Sequence, residues 1–512
     1  MSLPQPLKSD ANVRPATAAS RLSRMLTLIG FVLYAAFAPH SIAGAWIGLA
    51  LAALGWLIRI LDTKRTGLRR TALDLPLWLF FAWTLLSAVF SAEPRVSLAK
   101  LANVSILLIF YLAQAMLTRR RIIMLATLMI TSGVAGVLWS IGEVARGRGV
   151  VVEEMSETSP FRQTTPPLEA GDAIWRIDGQ RVSTIAEIDA ALRRADVARP
   201  LAVSVISRGE HVEWTLPPRT EATQDPASPS GLRGSQRTHR FRASGWTRHY
   251  ETHAELLQML AQLALGFALA ALQRKGSRLH IMVPAAAFAL LAVGIALTAM
   301  RTVLVAFAFG AFVVAWRAAT RWQTHLAISL VVLLALSFGA FAVSRTRATG
   351  ALMFQDASAQ MRLSVAGHAL ERIPLRPVFG HGMDAVNFHW TEWGFPGTQH
   401  IHMHSTLIQL AFDRGLPALI FWFWLIIAFW RTTTHAEAAW RTSDDPDIHG
   451  FLLGTTGALA GFLASSLVNY NFGDAEVALL LWWLMGAVVV AKRDGMRNAD
   501  CGMMKQKSED GS

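Results

Sequence analysis

Read for hydropathy alone, the chain alternates between long apolar runs and short basic connectors, and two polar interruptions are much longer than the rest. Twelve runs of membrane-spanning length can be placed, at 25–39, 42–60, 73–91, 98–117, 122–143, 253–273, 280–299, 302–319, 324–343, 406–430, 450–468 and 475–491. A helix of about 20 apolar residues crosses the roughly 30 Å hydrocarbon core of a bilayer. The pattern predicts an all-α polytopic membrane protein of about twelve transmembrane helices.

The first interruption, 144–252, has period-2 and turn signals of its own. Residues 149–153 and 173–177 read as strands, the second closed by the turn Asp178-Gly179. Ile185, Ile188 and Leu192 have helical spacing over 184–194, with Ser183 or Thr184 as the N-cap. Residues 201–206 and 211–216, on either side of Arg208-Gly209, form a last hairpin. A stretch rich in Pro, Ser, Gly, Arg and Thr, 219–240, then reads as a flexible linker back to the membrane.

The second interruption runs from Ser344 to Ser405 and holds six of the fifteen histidines: His368, His381, His389, His400, His402 and His404. Arg362, Leu363, Ala366 and Leu370 are spaced as on a helix that ends by Pro374. Pro377 to Gly382 is a glycine-rich turn, and His400-Ile401-His402-Met403-His404-Ser405 leads directly into the apolar helix from Thr406. With membrane on both sides, this segment is an extramembrane loop at the mouth of a bundle.

Composition agrees with the pattern. The chain is 53% hydrophobic and 16% charged, with mean hydropathy +0.36. Its net charge of +13 is distributed as topology predicts and requires no nucleic acid. Lys8, Arg14, Arg21 and Arg24, Lys64-Arg65, Arg119-Arg120-Arg121, Arg274-Lys275, Arg317 with Arg321, and Lys492-Arg493 fall on one side if both termini are cytoplasmic. The opposite face then carries 144–252, 344–405 and 469–474. The first apolar run reads as a retained helix rather than a cleaved signal, and the single cysteine, Cys501, gives neither a disulfide framework nor a Cys metal site. The C-terminal tail reads as polar and disordered.

Two resemblances follow from particular residues. Ser159-Pro160, Leu168-Glu169-Ala170-Gly171-Asp172, Ile174, Ile177-Asp178-Gly179 and Val182 are similar to the bacterial PDZ pattern over 147–218. A peptide-binding PDZ domain needs a loop of backbone N–H groups before its first groove strand. Here that place is Val144 to Arg148, against the end of a membrane helix. The resemblance therefore implies a structural or docking insert, with a periplasmic protein partner left open.

Arg362, the Pro377–Gly382 turn, His402-x-His404-Ser405, Leu407, Gln409 and Arg414-Gly415-Leu416 together resemble the signature region of the O-antigen ligase and polymerase superfamily. Ser405 stands where the family has Asn, and Pro417-Ala418 departs from its pattern after Gly415-Leu416. Arg242-Ala243-Ser244-Gly245 and Arg301-Thr302 resemble two further pieces of it. The resemblance implies a GT-C-like integral membrane glycosyltransferase in a bacterial inner membrane, using an undecaprenyl-diphosphate-linked glycan and acting at the periplasmic face. It also implies inversion, with no metal, nucleotide sugar or other cofactor. The acceptor, whether lipid A core, another glycan or a protein, stays open.

The side chains fit that chemistry. A diphosphate leaving group calls for permanent, bidentate positive charge, and Arg301 and Arg362 are the catalytic candidates. An acceptor hydroxyl needs a base, and His404 is the candidate at the junction of loop and helix. Arg242, His402 and Gln409 are candidates for substrate binding. Alternating His-x-His-x-His is also metal-ligand spacing, and Asn469, Tyr470, Asn471 and Asp474 form a polar turn able to touch glycan.

The expected organisation is a tail at 1–24, helices over 25–143, a PDZ-like insert at 147–218, a linker at 219–252, helices over 253–343, the catalytic loop 344–405, helices over 406–491 and a tail at 492–512. A polymerase or protein O-oligosaccharyltransferase is the near alternative. A lipid-linked glycan transporter, disfavoured by the scarcity of ionisable residues in the spans, and a scaffold built on the PDZ-like insert are the alternatives of another class.

Overall fold

The computed structural model describes residues 17–509 except Pro166, Arg208, 219–227, Ser235, Arg248, 328–356, 398–401 and Asp444. Among the described residues nine helices are long and apolar enough to cross a membrane, which makes the chain a polytopic helical membrane protein. They are α1 (Ala18–Phe37), α2 (Ile42–Thr63), α6 (Arg119–Arg146), α8 (Tyr250–Gln273), α9 (Arg278–Leu297), α10 (Arg301–Ala318), Thr406–Trp440, Pro446–Ser466 and the first part of Ala475–Glu509.

Three of the twelve expected spans differ. The third is the 16-residue α3 (Asp74–Val89). The fourth is broken into α4 (Pro94–Val104), a 3-10 turn and α5 (Leu108–Met116), so a single helix over 98–117 is corrected to two pieces. The run at 324–343 lies, from residue 328, outside the described residues. The last helix continues to Glu509, where the sequence predicted a disordered tail.

Small residues set how closely helices approach, as expected where lipid supplies no hydrophobic drive between them. A Cβ on Gly30 would lie 2.4 Å from Ala52 N, and one on Gly48 would lie 2.4 Å from Tyr34 N, so α1 and α2 pack backbone on backbone. Gly266 on α8 meets Gly450 and Gly454 in the same way. Pro446–Ser466 and α8 form the buried centre of the bundle, whereas α9 and α10 keep exposed apolar faces.

The insert is a small sheet with one helix, α7 (Ile185–Arg194), whose N-cap is Thr184. Strand β3 (Ala173–Ile177) pairs antiparallel with β1 (Val150–Val151), β4 (Gln180–Arg181) and β5 (Leu201–Ser207), and β5 pairs with β6 (Glu210–Leu216). Asp178 and Gly179, at φ 48° and 80°, make the tight turn expected between β3 and β4. The expected linker is partly a strand instead. Residues 231–234 and 236–238 run antiparallel along 148–156, on the edge of β1 that faces away from β3, with bonds from Val151 N to Gln236 O and from Glu153 N to Arg233 O. Leu232 is buried in the core of the insert and Ser230 N donates to Asp189 on α7 (2.9 Å), which holds this segment down despite its linker-like composition.

The insert is fastened to α6. Arg148 pairs with Glu143 (2.6 Å) on the last turn of α6 and lies over the rings of Trp175 and Phe241. The strap that follows crosses the same end of the bundle, with Ala243 N bonded to Leu297 O.

The helix Thr406–Trp440 is interrupted inside the apolar region, because Gly415 has φ 80° and ψ 170° and Pro417 follows. Such a break leaves carbonyls that lipid cannot satisfy. The turn Pro377–Gly382 supplies their partners: His381 N donates to Phe412 O (2.7 Å) and Gly382 N to Asp413 O (2.9 Å), while Leu416 N donates back to Pro377 O (2.8 Å). From α3, Trp83 Nε1 donates to Arg414 O (3.1 Å). Ser87 donates to Phe379 O (2.6 Å). Gly380 at φ 71° and Gly415 leave no room between the two backbones, since a Cβ on Gly415 would sit 2.0 Å from Val378 O.

Gly380→Ala and Gly415→Ala are predicted to destabilise the protein beyond the ~1–3 kcal/mol of backbone strain alone. Melting of the purified protein in detergent checks this. Gly171→Ala, at φ 96° with nothing near its Cβ position, should cost only the strain.

Candidate active site

Four segments remote in sequence meet at the end of the bundle that carries the insert. Helix Pro446–Ser466 ends there, and the turn beyond it holds Asn469 and Asn471, both buried. Glu255, near the start of α8 and fully buried, accepts from the Ser465 hydroxyl, from Asn469 Nδ2 (3.3 Å) and from Asn471 Nδ2 (3.4 Å). A carboxylate at membrane depth is tolerated when it is ringed by donors in this way.

Asn469 is the point of convergence. Its Oδ1 accepts from Arg362 Nη1 (3.3 Å), and its Nδ2 donates to Thr302 Oγ1 (3.1 Å) and Ser465 Oγ (2.8 Å). Its carbonyl accepts from Thr406 N (3.0 Å) and from the Thr406 hydroxyl (3.1 Å). The helix Ala357–Arg372 bearing Arg362, the start of α10 next to Arg301 and the start of the helix after His404 are therefore all tied to one residue. Ser405 caps that helix, its Oγ accepting from Ile408 N.

His404, directly before the cap, is in the left-handed backbone region at φ 52°, uncommon for a side-chain-bearing residue and a recurrent feature of functional sites. Its N–H donates to His402 Nδ1 (3.3 Å), and the two imidazoles meet edge to face with centroids 4.5 Å apart. A neutral His402 in this arrangement carries its proton on Nε2. The ring of Tyr470 lies 6.0 Å from that of His402.

Arg362, Arg301, His402 and His404 are thus gathered around one polar junction, directly or through their chain neighbours. Gln409 is one turn below it: Oε1 accepts from Met403 N (2.7 Å) and Nε2 donates to both carboxylate oxygens of Asp413 (2.9 Å each), so it bridges the histidine strand to the helix break. Arg242 is placed on the insert side, its guanidinium 4.7 Å from the Tyr250 ring centroid and its N–H bonded to Gly209 O.

The other histidines separate by environment. His381 is buried, stacked on Phe412 at 4.5 Å, and burial lowers its pKa. His389 bonds Glu392 and Glu93, and these carboxylates raise its pKa, the bond to Glu392 most. His368 bonds the Ser364 carbonyl of its own helix, and His400 lies outside the described residues. No group of three or more His, Cys, Asp or Glu side chains is placed to share a metal ion among the described residues.

A cavity of about 120 Å³ opens beside the junction, between Lys100, Asp384, Asp413, Arg414 and Tyr470 on its polar side and Phe80, Phe472 and Trp482 on its aromatic side. Arg414 is 5% exposed, yet its Nε and Nη1 have no hydrogen-bond partner. Buried guanidinium donors left open beside a cavity suit a polar ligand.

Glu255 and Arg414 are the residues that sequence reasoning passed over as functional groups. Each had a signal, since an ionisable residue inside an apolar run is costly unless it has a task or a partner. Glu255, Asp413 and Arg414, three of the few ionisable residues of the spans, are buried and gathered at this end.

Asp474, in the turn next to this network, accepts from Thr252 Oγ1 (2.9 Å), and burial pushes its pKa up to about 7 against the pull of that bond. Between about pH 4, the ordinary Asp range, and about pH 7 the folded state holds a proton that the unfolded chain has lost. Its contribution to stability is therefore full below that window and is lost as pH rises through about 7. Asp474→Asn should flatten the dependence of the melting temperature on pH across this range.

Compared with known families, residues 286–423 match the family described as O-antigen ligase, and residues 128–206 match the PDZ domain. The first match contains Arg301, Arg362, His402, His404, Gln409 and Arg414, while the second begins within α6 and ends in β5. No curated protein matches the chain. The chain is a multi-pass membrane protein that joins an O-antigen ligase domain, of the glycosyltransferase-like ligase kind, to a PDZ domain.

Proposed function

We propose that the protein transfers a glycan from an undecaprenyl-diphosphate carrier to an acceptor hydroxyl, at the periplasmic face of a bacterial inner membrane with both termini cytoplasmic. The observation that carries this reading is the convergence on Asn469, which sets Arg362 and the start of α10, next to Arg301, beside the segment that presents His404.

In the proposed reaction His404 accepts the hydroxyl proton while the acceptor oxygen attacks the anomeric carbon. The bond from that carbon to the diphosphate oxygen breaks, the electron pair leaves with undecaprenyl diphosphate, and configuration at the carbon inverts. Arg301 and Arg362 face the charge that grows on the leaving group, where fixed guanidinium donors lower the barrier. The scheme asks for no metal. His402, Gln409 and Arg242 shape the approach: His402 by orienting the His404 segment, Gln409 by holding Met403 and Asp413, and Arg242 at the insert side.

Loss of a general base costs about 10²–10⁴ in rate. His404→Ala and Arg362→Ala are each expected to cut transfer by at least about 10²-fold in proteoliposomes given lipid-linked glycan and acceptor. Undiminished transfer by both variants, at equal amounts of folded protein, removes the assignment. Asn469→Ala should lower transfer as well, because it releases Arg362 and Thr302 together.

A further inference from the structure

A second, larger cavity lies at the other end of the bundle. It occupies about 1030 Å³ between the start of α1, the end of α2, the loop 64–69, the turn 115–121 and Arg493 of the last helix. Seven of its lining residues are cations, Arg24, Arg59, Arg121 and Arg493 among them, and Asp62 is the only acid. The charge of Arg24 and Arg59 is felt directly by Arg121.

These guanidinium groups are held in place rather than loose. Arg59 Nη1 donates to Ala115 O (2.9 Å) and Arg121 Nη1 to Met116 O (2.9 Å), two successive carbonyls at the end of α5. Arg24 is tied to Ser20 of its own helix through Nε and Nη2 (3.2 Å each). A guanidinium has five N–H donors, so each keeps donors for the cavity. Asp62 does not neutralise them: its carboxylate accepts from the Thr17 hydroxyl (3.2 Å). Among the described residues no carboxylate lies within ion-pair distance of Arg24, Arg59 or Arg121.

Other arginines at the same end are treated differently. Arg317 and Arg441 share Glu437, and Arg119 pairs with Asp445. The fold therefore neutralises cations nearby while fixing three like charges around an open cavity, an arrangement unfavourable until an anion enters. Planar, preorganised guanidinium donors match phosphate oxygens, and basic pockets at the ends of membrane helices suit anionic headgroups.

We propose that this cavity binds a phosphate-bearing anion, supplied either by the headgroup of an acidic phospholipid or by a soluble phosphate or diphosphate. The test uses the full chain in nanodiscs of neutral phosphatidylcholine. One arm adds a minor fraction of phosphatidylglycerol to the bilayer, and the other adds pyrophosphate or inorganic phosphate to the buffer. Retained ligand is read by native mass spectrometry and stabilisation by melting.

A response to phosphatidylglycerol alone identifies the headgroup, and a response to the soluble anions in neutral discs identifies those; either supports the site. The double variant Arg59→Gln with Arg121→Gln should weaken the response by about tenfold or more, as expected for loss of charge-assisted bonds. Arg24→Gln, whose bonds to Ser20 stay within α1, tests the same site with little risk to packing. Arg278→Gln, exposed and outside the cavity, should leave the response intact. No response to any probe, or equal losses in Arg278→Gln and the cavity variants, overturns the proposal.

Discussion

A membrane helix that breaks must have its freed carbonyls satisfied by protein, and the interruption at Asp413–Gly415 is where this chain meets that requirement. The turn Pro377–Gly382 enters from the polar segment and donates amides to Phe412 and Asp413, while α3 adds Trp83 and Ser87. This pairing anchors the long extramembrane segment to the bundle. It also fixes the first turns of the helix from Thr406, whose Gln409 holds Asp413 on one side and the backbone of Met403 on the other. The histidine pair is thus positioned from below by a polar ladder that starts at the helix break.

The same end is fixed from the other side by Glu255. A fully buried carboxylate gathers Ser465, Asn469 and Asn471, and Asn469 passes the order on to Arg362, Thr302 and Thr406. Polar networks of this kind hold a precise geometry because leaving any member unpaired in a low-dielectric setting is costly. The PDZ domain is fastened to the end of α6 through Arg148 and Glu143, and the segment around Leu232–Arg233 lines its outer edge.

Legibility differed by kind of feature. Element types in the insert were readable because strand alternation, the Asp178-Gly179 turn and the Thr184 cap are local signals, and β3, α7, β5 and β6 fall within a residue or so of where the pattern put them. The strand at Leu232–Arg233 was not readable, since the Gly, Ser and Arg around it give no β pattern and its order comes from Leu232 in the core and Ser230 on Asp189. The break in the span at 98–117 was hidden for a related reason: an apolar run reports that a segment is buried, not that it stays straight.

By itself the sequence determined that the chain spans a membrane many times, that two polar segments leave it, and that arginines and a histidine pair concentrate in and near one of them. Hydropathy and motif spacing carry that information because both depend on near neighbours in the chain. Only the tertiary structure decided which of those groups meet. Asn469 draws together residues 302, 362 and 406 because two helix starts and the side chain of Arg362 crowd onto one buried residue. His402 and His404 stand as a pair at that junction, while His381 is absorbed into aromatic packing and His389 into an ion pair. Contacts between positions so remote in the chain are set by packing and by the satisfaction of buried polar groups, which no local pattern records.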